Sequence, residues 1–535
     1  MGRVRERTGA ALAGLTASLC NPAVRRVQLA WAGCATADLA GDVALGVYAF
    51  SAGGPAGVGV MALVRSLPAA GLGPLAVGVA DRYPRERVLL VVLLCRTALL
   101  GVLASTVAAG APLAVVAALA AADATAYSLY WPAQSALLPE LARTPEELTA
   151  SNATNTLVEN VGTLVGPALA GVVLALSGPH VVFTASAILT GVSALVATRI
   201  ATERRGRPPA ALESKRDSLL GGFRVFLSDR APRTVLLLYL AHILCSGALS
   251  VLVVVVAIDL LELGGAGVGL LGAALGVGGI AGSVAAFGLV GYQRLTRPFW
   301  LALTLWGAAL ATVAAAPLAP VAISALVVVG VCTAVVDVCT VNVLQRMVRE
   351  RLLGRALGVV EGAWWAVFGL GSLGGGLLAE ATGDRAALAV TGGVLVAVAL
   401  MGKPALAAVD ARARAPEAGL TALLGVPMFG AQSPLVLERL ALDLMPMGFS
   451  SGEPIVVIGE AGDLFYIIDE GTVEVVGPGV QVELGPGDWF GEIALLRDVP
   501  RTATVRALTE VRVFALGRDD FLAAVSVVPT GLTRR

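Results

Sequence analysis

The chain has 535 residues, 57% of them hydrophobic and only 14% charged, with a mean hydropathy of +0.82. Soluble globular domains run nearer half apolar and a quarter charged, so this composition excludes one and describes a polytopic membrane protein. Basic and acidic residues number 38 each, which removes the positive excess that nucleic-acid binding needs.

Met1 to Cys20 has a basic start and a short apolar run, like a signal peptide. Leu19 stands where a lipoprotein-type cleavage site before Cys20 needs a small residue, and Arg25 and Arg26 follow at once. Residues 1–26 therefore read as a cytoplasmic segment with an interfacial helix. From Val27 onward, apolar runs near the ~20 residues that cross a bilayer recur. Twelve are expected: Val27 to Phe50, Gly57 to Ala80, Val88 to Ala108, Leu113 to Tyr130, Asn155 to Leu176, Val181 to Ile200, Val235 to Ile258, Gly267 to Gly291, Pro298 to Ala316, Val321 to Leu344, Ala356 to Leu378 and Ala386 to Met401. The polar insert Ala201 to Arg233 divides them, giving a six-helix half over 27–200, a cytoplasmic loop over 201–234 and a second half over 235–403.

Arginine sets the orientation. Loops after even-numbered spans carry Arg82, Arg85, Arg87, Arg143, Arg204, Arg205, Arg207, Lys215, Arg216, Arg294, Arg297, Arg346, Arg349 and Arg351, whereas the opposite loops hold little beyond Arg385. The positive side faces the cytoplasm, so a multi-pass protein of a cell inner or plasma membrane with both termini cytoplasmic is expected. Only Lys215 and Lys403 are lysines, a bias typical of GC-rich bacterial genomes. Cys20, Cys34, Cys95, Cys245, Cys332 and Cys339 lack CxxC spacing, which suggests neither a disulfide framework nor a metal site.

A weak repeat links the halves. Gln134 is followed by LLPELARTPEEL and a glycine-rich span, and Gln345 by RMVRERLLGRAL and another. Parallel six-helix repeats with a small-molecule substrate held between them describe a class of secondary transporters. On these features the chain resembles the major facilitator superfamily. The loop GVADRYPRERVLL from Gly78 is similar to that family's signature between its second and third helices, which implies that Asp81 and Arg82 brace the cytoplasmic gate. Pro84 and Glu86 depart from the usual pattern. Gly162, Gly166 and Pro167 form a GxxxGP pattern resembling the fifth helix of exporters in the family. Two glycines on one face permit close helix contact and the proline bends the helix, so tight packing and an exporter gate both fit.

Charges inside a membrane cost about 2.5 to 3.5 kcal/mol near its centre, so each asks for a role. Asp38 and Asp42 lie one turn apart in the first span; Arg65, Arg96, Asp123, Glu159, His242, Asp337 and Glu361 complete the set. Asp42, Arg65 and Arg96 read as a structural ion pairing. Asp38 and Glu159 read as cavity residues, where crowded carboxylates carry protons. His242 fits a bundle histidine equally well. Asp38, Asp42, Glu159, Asp337 and Glu361 are thus the candidates for proton or substrate coupling.

After Lys403-Pro404 the composition changes, and 404–419 reads as a linker to a last domain over 420–535. Ser433-Pro434 opens a helix to about Leu444. Periodicity then falls to two, with strands over Ile455 to Ile458, Leu464 to Ile468, Thr472 to Val476, Val480 to Leu484 and Val511 to Leu516, cut by glycine turns as in a jelly roll. Within it stands FGEIALLRDVPRTATV, Phe490 to Val505. A helical run from Glu492 to Leu496 behind Gly491 aims backbone N–H groups at one spot, Arg501 can grip a phosphate with two parallel bonds, and Glu492 can accept from sugar hydroxyls. The stretch resembles the phosphate-binding cassette of cyclic-nucleotide-binding domains, a match that reaches back through Gly452-Glu453, Gly462-Asp463, Tyr466, Glu470-Gly471 and Gly487-Asp488. The resemblance implies that Glu492 takes the ribose 2′-hydroxyl, Arg501 and the amides around Gly491, Ile493 and Ala494 the cyclic phosphate, and that Thr502 touches the base. Whether the ligand is cAMP or cGMP stays open. In such domains a following helix closes over the base, whereas Asp519 to Val525 is one short helix here, with Pro529 and Gly531 beyond.

An all-α twelve-span membrane protein with a C-terminal β jelly roll follows. Its expected function is a proton-coupled exporter tuned by a cyclic nucleotide; the alternative is a membrane-anchored nucleotide sensor that signals to a protein partner. No P-loop, nucleophile with base, or metal cluster suggests an enzyme.

Overall fold

The computed structural model describes residues 21–141, 145–200, 226–227, 230–287, 296–348, 350–413, 417–430, 432 and 434–525. The expected interfacial helix before Cys20, most of the central loop, and the tail with Pro529 and Gly531 lie outside the described residues. The chain forms two compact units, the helical one ending at Leu406 and the other beginning at Ala407.

Helix α1 (Pro22–Arg82) holds the first two expected spans. Its 61 residues would reach about 90 Å unbent, three hydrocarbon thicknesses, so the chain must fold back. It does so at Gly53 and Gly54, where Gly54 adopts φ +61°, a conformation a side chain resists. The helical unit continues through α2 (Arg85–Ala108), α3 (Leu113–Ser128), α4 (Tyr130–Leu141), α5 (Pro145–Leu176) and α6 (Pro179–Ala197). Its second half comprises α7 (Arg230–Val255), α8 (Gly264–Phe287), α9 (Thr296–Ala315), α10 (Ala319–Met347), α11 (Glu350–Thr382) and α12 (Asp384–Ala413). Eleven helices among the described residues are long and apolar enough to cross a membrane, and the bend divides the first into two spans, giving twelve.

Glycine seams join the halves. A Cβ on Gly171 of α5 would lie 3.0 Å from the Gly269 Cα of α8, and one on Gly59 of α1 2.7 Å from the Ser372 carbonyl of α11. Backbones approach this closely only where side chains are absent, and dispersion contacts then hold helices together in a medium as apolar as leucine.

The end of α12 departs from expectation. The helix runs through Lys403-Pro404 to Ala413, and α13 (Glu417–Gly425) opens inside the stretch expected as linker. Pro404 removes one backbone hydrogen bond without ending the helix, and the alanines at 405, 407, 408, 411 and 413 favour its continuation.

The second unit continues with α14 (Pro434–Asp443), eight strands, and helices α15 (Glu492–Arg497) and α16 (Arg518–Val525). Strands β1 (Met445–Phe449), β8 (Val511–Gly517), β3 (Leu464–Glu470) and β6 (Trp489–Phe490) form one antiparallel sheet. Strands β2 (Pro454–Val456), β7 (Thr504–Ala507), β4 (Val473–Gly477) and β5 (Val480–Leu484) form the other. Strand β3 is buried on both faces, which explains its unbroken apolar run. Phe465 and Ile467 pack on Phe429, Leu440 and Phe521 of the helical layer, while Tyr466 and Ile468 meet Val473, Val505 and Val513 between the sheets.

Candidate functional site

The cassette forms where β6 ends. Gly491, at φ +94°, turns the chain from β6 into α15, and Glu492 opens that helix. Ala494 is buried beneath it and Ile493 points outward. Arg501 is fixed first by its backbone, which donates to the Glu460 carbonyl at 2.8 Å and accepts from the Gly459 amide at 2.9 Å. The residue is 7% exposed, and its guanidinium donates to the Gly491 carbonyl at 3.0 Å and the Leu464 carbonyl at 2.8 Å. The cation also stands 5.8 Å from the centre of the Tyr466 ring, itself stacked on Phe490 at 4.9 Å.

Two glycines let the backbone close around this cation. A Cβ on Gly462 would sit 2.5 Å from Arg501 Nε, and one on Gly491 2.7 Å from Nη1. Among the described residues Arg501 has no ion pair; Asp463, Glu492 and Glu460 act on it only across space. Burial draws the guanidinium below its ordinary value, opposed by Tyr466 and those carboxylates. Burial also pushes Glu492 up, opposed by its own backbone N–H and by Arg501. A buried cation held by neutral carbonyls beside a half-buried carboxyl has the donor and acceptor set of a small phosphorylated sugar. Cyclic nucleotide therefore fits the residues present.

Of the residues expected of the nucleotide site, the structure places Gly491 and Glu492 beside Arg501 and Ala494 in the helix that Glu492 opens. Thr502, which follows Arg501, is exposed at the start of the approach to β7. Gly462 and Tyr466 were legible only as parts of the resemblance, and the Leu464 carbonyl not at all, although all three contact the guanidinium.

The membrane charges separate into two groups. Arg96, with its side chain fully buried, donates to Asp38 at 2.6 Å and to both oxygens of Asp123 at 2.9 Å, and lies 4.4 Å from the Tyr127 ring centre. Arg65 donates to Asp38 at 2.8 Å and also pairs with Asp42. Asp38 thus sits between two guanidiniums, not among carboxylates as expected, because α1 and α2 aim both cations at its face. Glu159, Asp337 and Glu361 form the second group, from α5, α10 and α11, with Tyr239 against Asp337 and Trp365 against Glu361. None of the three is in an ion pair among the described residues. His242 is fully buried, 3.4 Å from Ser246 through Nε2 and edge-on to Trp306 at 5.7 Å.

Gly162 and Gly166 face the first span, where a Cβ on Gly166 would lie 2.8 Å from that of Leu39. Pro167 faces α8 instead, 2.9 Å from a Cβ built on Gly272. Asp81 and Arg82 end α1; their side chains are outside the described residues.

Residues 9–326 match the model of the Major Facilitator Superfamily, and residues 446–526 that of the cyclic nucleotide-binding domain. The chain belongs to the major facilitator superfamily and carries a C-terminal cyclic nucleotide-binding domain. It is 42% identical over 99 residues to a cAMP-dependent protein kinase regulatory subunit of Emericella nidulans, covering 18% of this chain and 24% of that one. It is 41% identical over 104 residues to a cyclic nucleotide-gated potassium channel of Mesorhizobium japonicum, covering 19% and 29%. The chain spans about a quarter of the length of these relatives. The solved regulatory domain of Toxoplasma gondii PKA with cAMP is similar at 33% identity, covering 20% of this chain and 43% of that one, with a TM-score of 0.19.

Proposed function

We propose that the protein is a secondary active transporter that exports small molecules in exchange for protons, and that cAMP or cGMP bound at Arg501 and Glu492 sets its rate. Both termini face the cytoplasm, where the nucleotide is. The observation that carries regulation is the buried Arg501 guanidinium, held by carbonyls beside Glu492 in a unit covalently joined to a transporter. Proton coupling rests on Glu159, Asp337 and Glu361, which approach one another without a counter-cation among the described residues. Asp38 and Asp42 poise the first half through their arginines. Asp81 and Arg82 belong to the cytoplasmic gate, and Gly162, Gly166 and Pro167 to the bend along which helices slide.

A ligand shifts an equilibrium only by its different affinity for two states, so the nucleotide unit must be felt through the chain that joins it, α12 to α14. The coupling expected is about 1 to 3 kcal/mol. The test uses everted vesicles under a proton gradient and a panel of small molecules. Accumulation should collapse with an uncoupler, change severalfold with nucleotide, and vanish in Glu159→Gln; a flexible Gly-Ser insert near Ala415 should abolish the nucleotide effect while sparing nucleotide binding. If saturating nucleotide never alters transport, the domain is a sensor on a membrane anchor and the regulatory reading fails.

A further inference from the structure

Helices α9 and α12 leave the membrane side by side with a cation on each. From Asp384 to Lys403 α12 rises about 30 Å, one hydrocarbon thickness, and α9 covers nearly the same distance between Ala315 and Arg297. The two run antiparallel in contact: a Cβ on Gly307 would lie 2.8 Å from a Val396 methyl, and the Lys403 ammonium stands 4.6 Å from the centre of the Trp300 ring. Trp300 is one turn along α9 from Arg297, so Arg297 and Lys403 flank its ring at headgroup level. Helix α7 adds charge at this end. It packs on α12, where a Cβ on Gly402 would lie 2.7 Å from the Leu238 side chain, and it opens with the exposed Arg230 and Arg233.

Nothing among the described residues compensates these charges. Arg297 and Lys403 are exposed, and neither has an ion pair there. The face of an indole attracts an ammonium without neutralising it. Trp300 keeps its ring nitrogen buried with no acceptor among the described residues, so the ring serves Lys403 by its face and not by a hydrogen bond. Toward the membrane interior both helix surfaces turn apolar and outward. Leu301 and Leu305 follow Arg297 at one-turn intervals and Leu400 precedes Lys403 by a turn, with exposures of 49%, 53% and 53%. Each helix thus carries one outward stripe, a cation at its end and bare leucine along its length.

We propose that the junction of α9 and α12 binds an anionic phospholipid, with its phosphate between Arg297 and Lys403 and its acyl chains along Leu301, Leu305 and Leu400. The phosphate oxygens accept from the guanidinium and the ammonium together, and the chains cover leucines that no side chain covers. Charge decides the class of lipid. A zwitterionic headgroup sets its own cation against Arg297 and Lys403, whereas an anionic one leaves a net attraction to both. Because α12 continues through Pro404 to Ala413, this lipid fastens the helix that leads covalently into the second unit.

Native mass spectrometry of the full chain, released from micelles that hold phosphatidylglycerol or phosphatidylcholine, tests this. The intact protein should retain phosphatidylglycerol in preference to phosphatidylcholine. Arg297→Gln and Lys403→Gln should each weaken that retention about fivefold, the ordinary worth of one cation near an anionic surface. Arg297→Lys and Lys403→Arg should keep it. Arg385→Gln removes an exposed cation from the other end of α12 and should leave it unchanged. Inorganic phosphate at the same concentration should not displace the lipid. Equal retention of the two lipids, retention that survives both glutamine variants, or an equal loss in Arg385→Gln overturns the proposal. Displacement by inorganic phosphate overturns it too, since the patch then holds a free anion and the leucines play no part.

Discussion

Two buried arginines, one in each unit, hold their charge in opposite ways. Arg96 has a carboxylate on each side, Asp38 and Asp123, and an aromatic ring over its face. Arg501 is nearly as buried but rests on two backbone carbonyls and a tyrosine ring. A buried ion is tolerable when its charge is neutralised and its hydrogen bonds are satisfied. Arg96 meets both conditions within the protein, whereas Arg501 meets only the second. The difference separates a cation neutralised within the fold from one left for the proposed anion to complete, and burial alone does not make that distinction.

The contrast breaks most visibly at Arg96. Arg96→Ala strands Asp123 and leaves Asp38 to Arg65 alone, and removing one side of a buried pair costs about 3 to 5 kcal/mol. The unfolding midpoint of the detergent-solubilised chain should fall steeply; an unchanged midpoint would mean that the network is not structural. Arg501→Ala should behave the other way. It should weaken cyclic-nucleotide binding by about 1.5 to 3 kcal/mol, as for a hydrogen bond to a charged group. The midpoint without nucleotide should move far less than in Arg96→Ala, and a larger fall would make Arg501 a structural cation as well.

The same comparison explains what could be read from sequence. The twelve spans were legible because crossing a bilayer imposes a length on each apolar run, and the cassette because one short stretch carries Gly491, Glu492 and Arg501 together. The pairing of Arg96 was not legible as such. Its partners lie on other helices, at Asp38 and Asp123, and sequence spacing does not say which faces of different helices meet. Strands β1 and β6 were missed because MPMGF carries a proline and a glycine and β6 has only two residues, too short for a period. Strand β7 was absorbed into the cassette stretch that precedes it.

The smallest effect expected concerns Glu492, and it sharpens the contrast because it asks whether the second site is completed by a sugar as well as a phosphate. Burial raises this carboxyl above the ordinary glutamate value, so the folded unit favours its protonated form. Its contribution to stability is therefore fully present below the unfolded value and is lost as pH rises through the folded one. Nucleotide affinity should slope the opposite way. If the ionised carboxylate accepts from the ribose hydroxyl, binding releases a proton in the window just above the ordinary glutamate range, and affinity falls as pH drops through it, by about 1 kcal/mol in all. Calorimetry in buffers of different ionisation enthalpy reads that proton directly. Glu492→Gln should abolish both slopes while Arg501 still binds phosphate. A flat affinity in the intact protein, or a slope that survives in Glu492→Gln, would show that the ribose hydroxyl is held by another group.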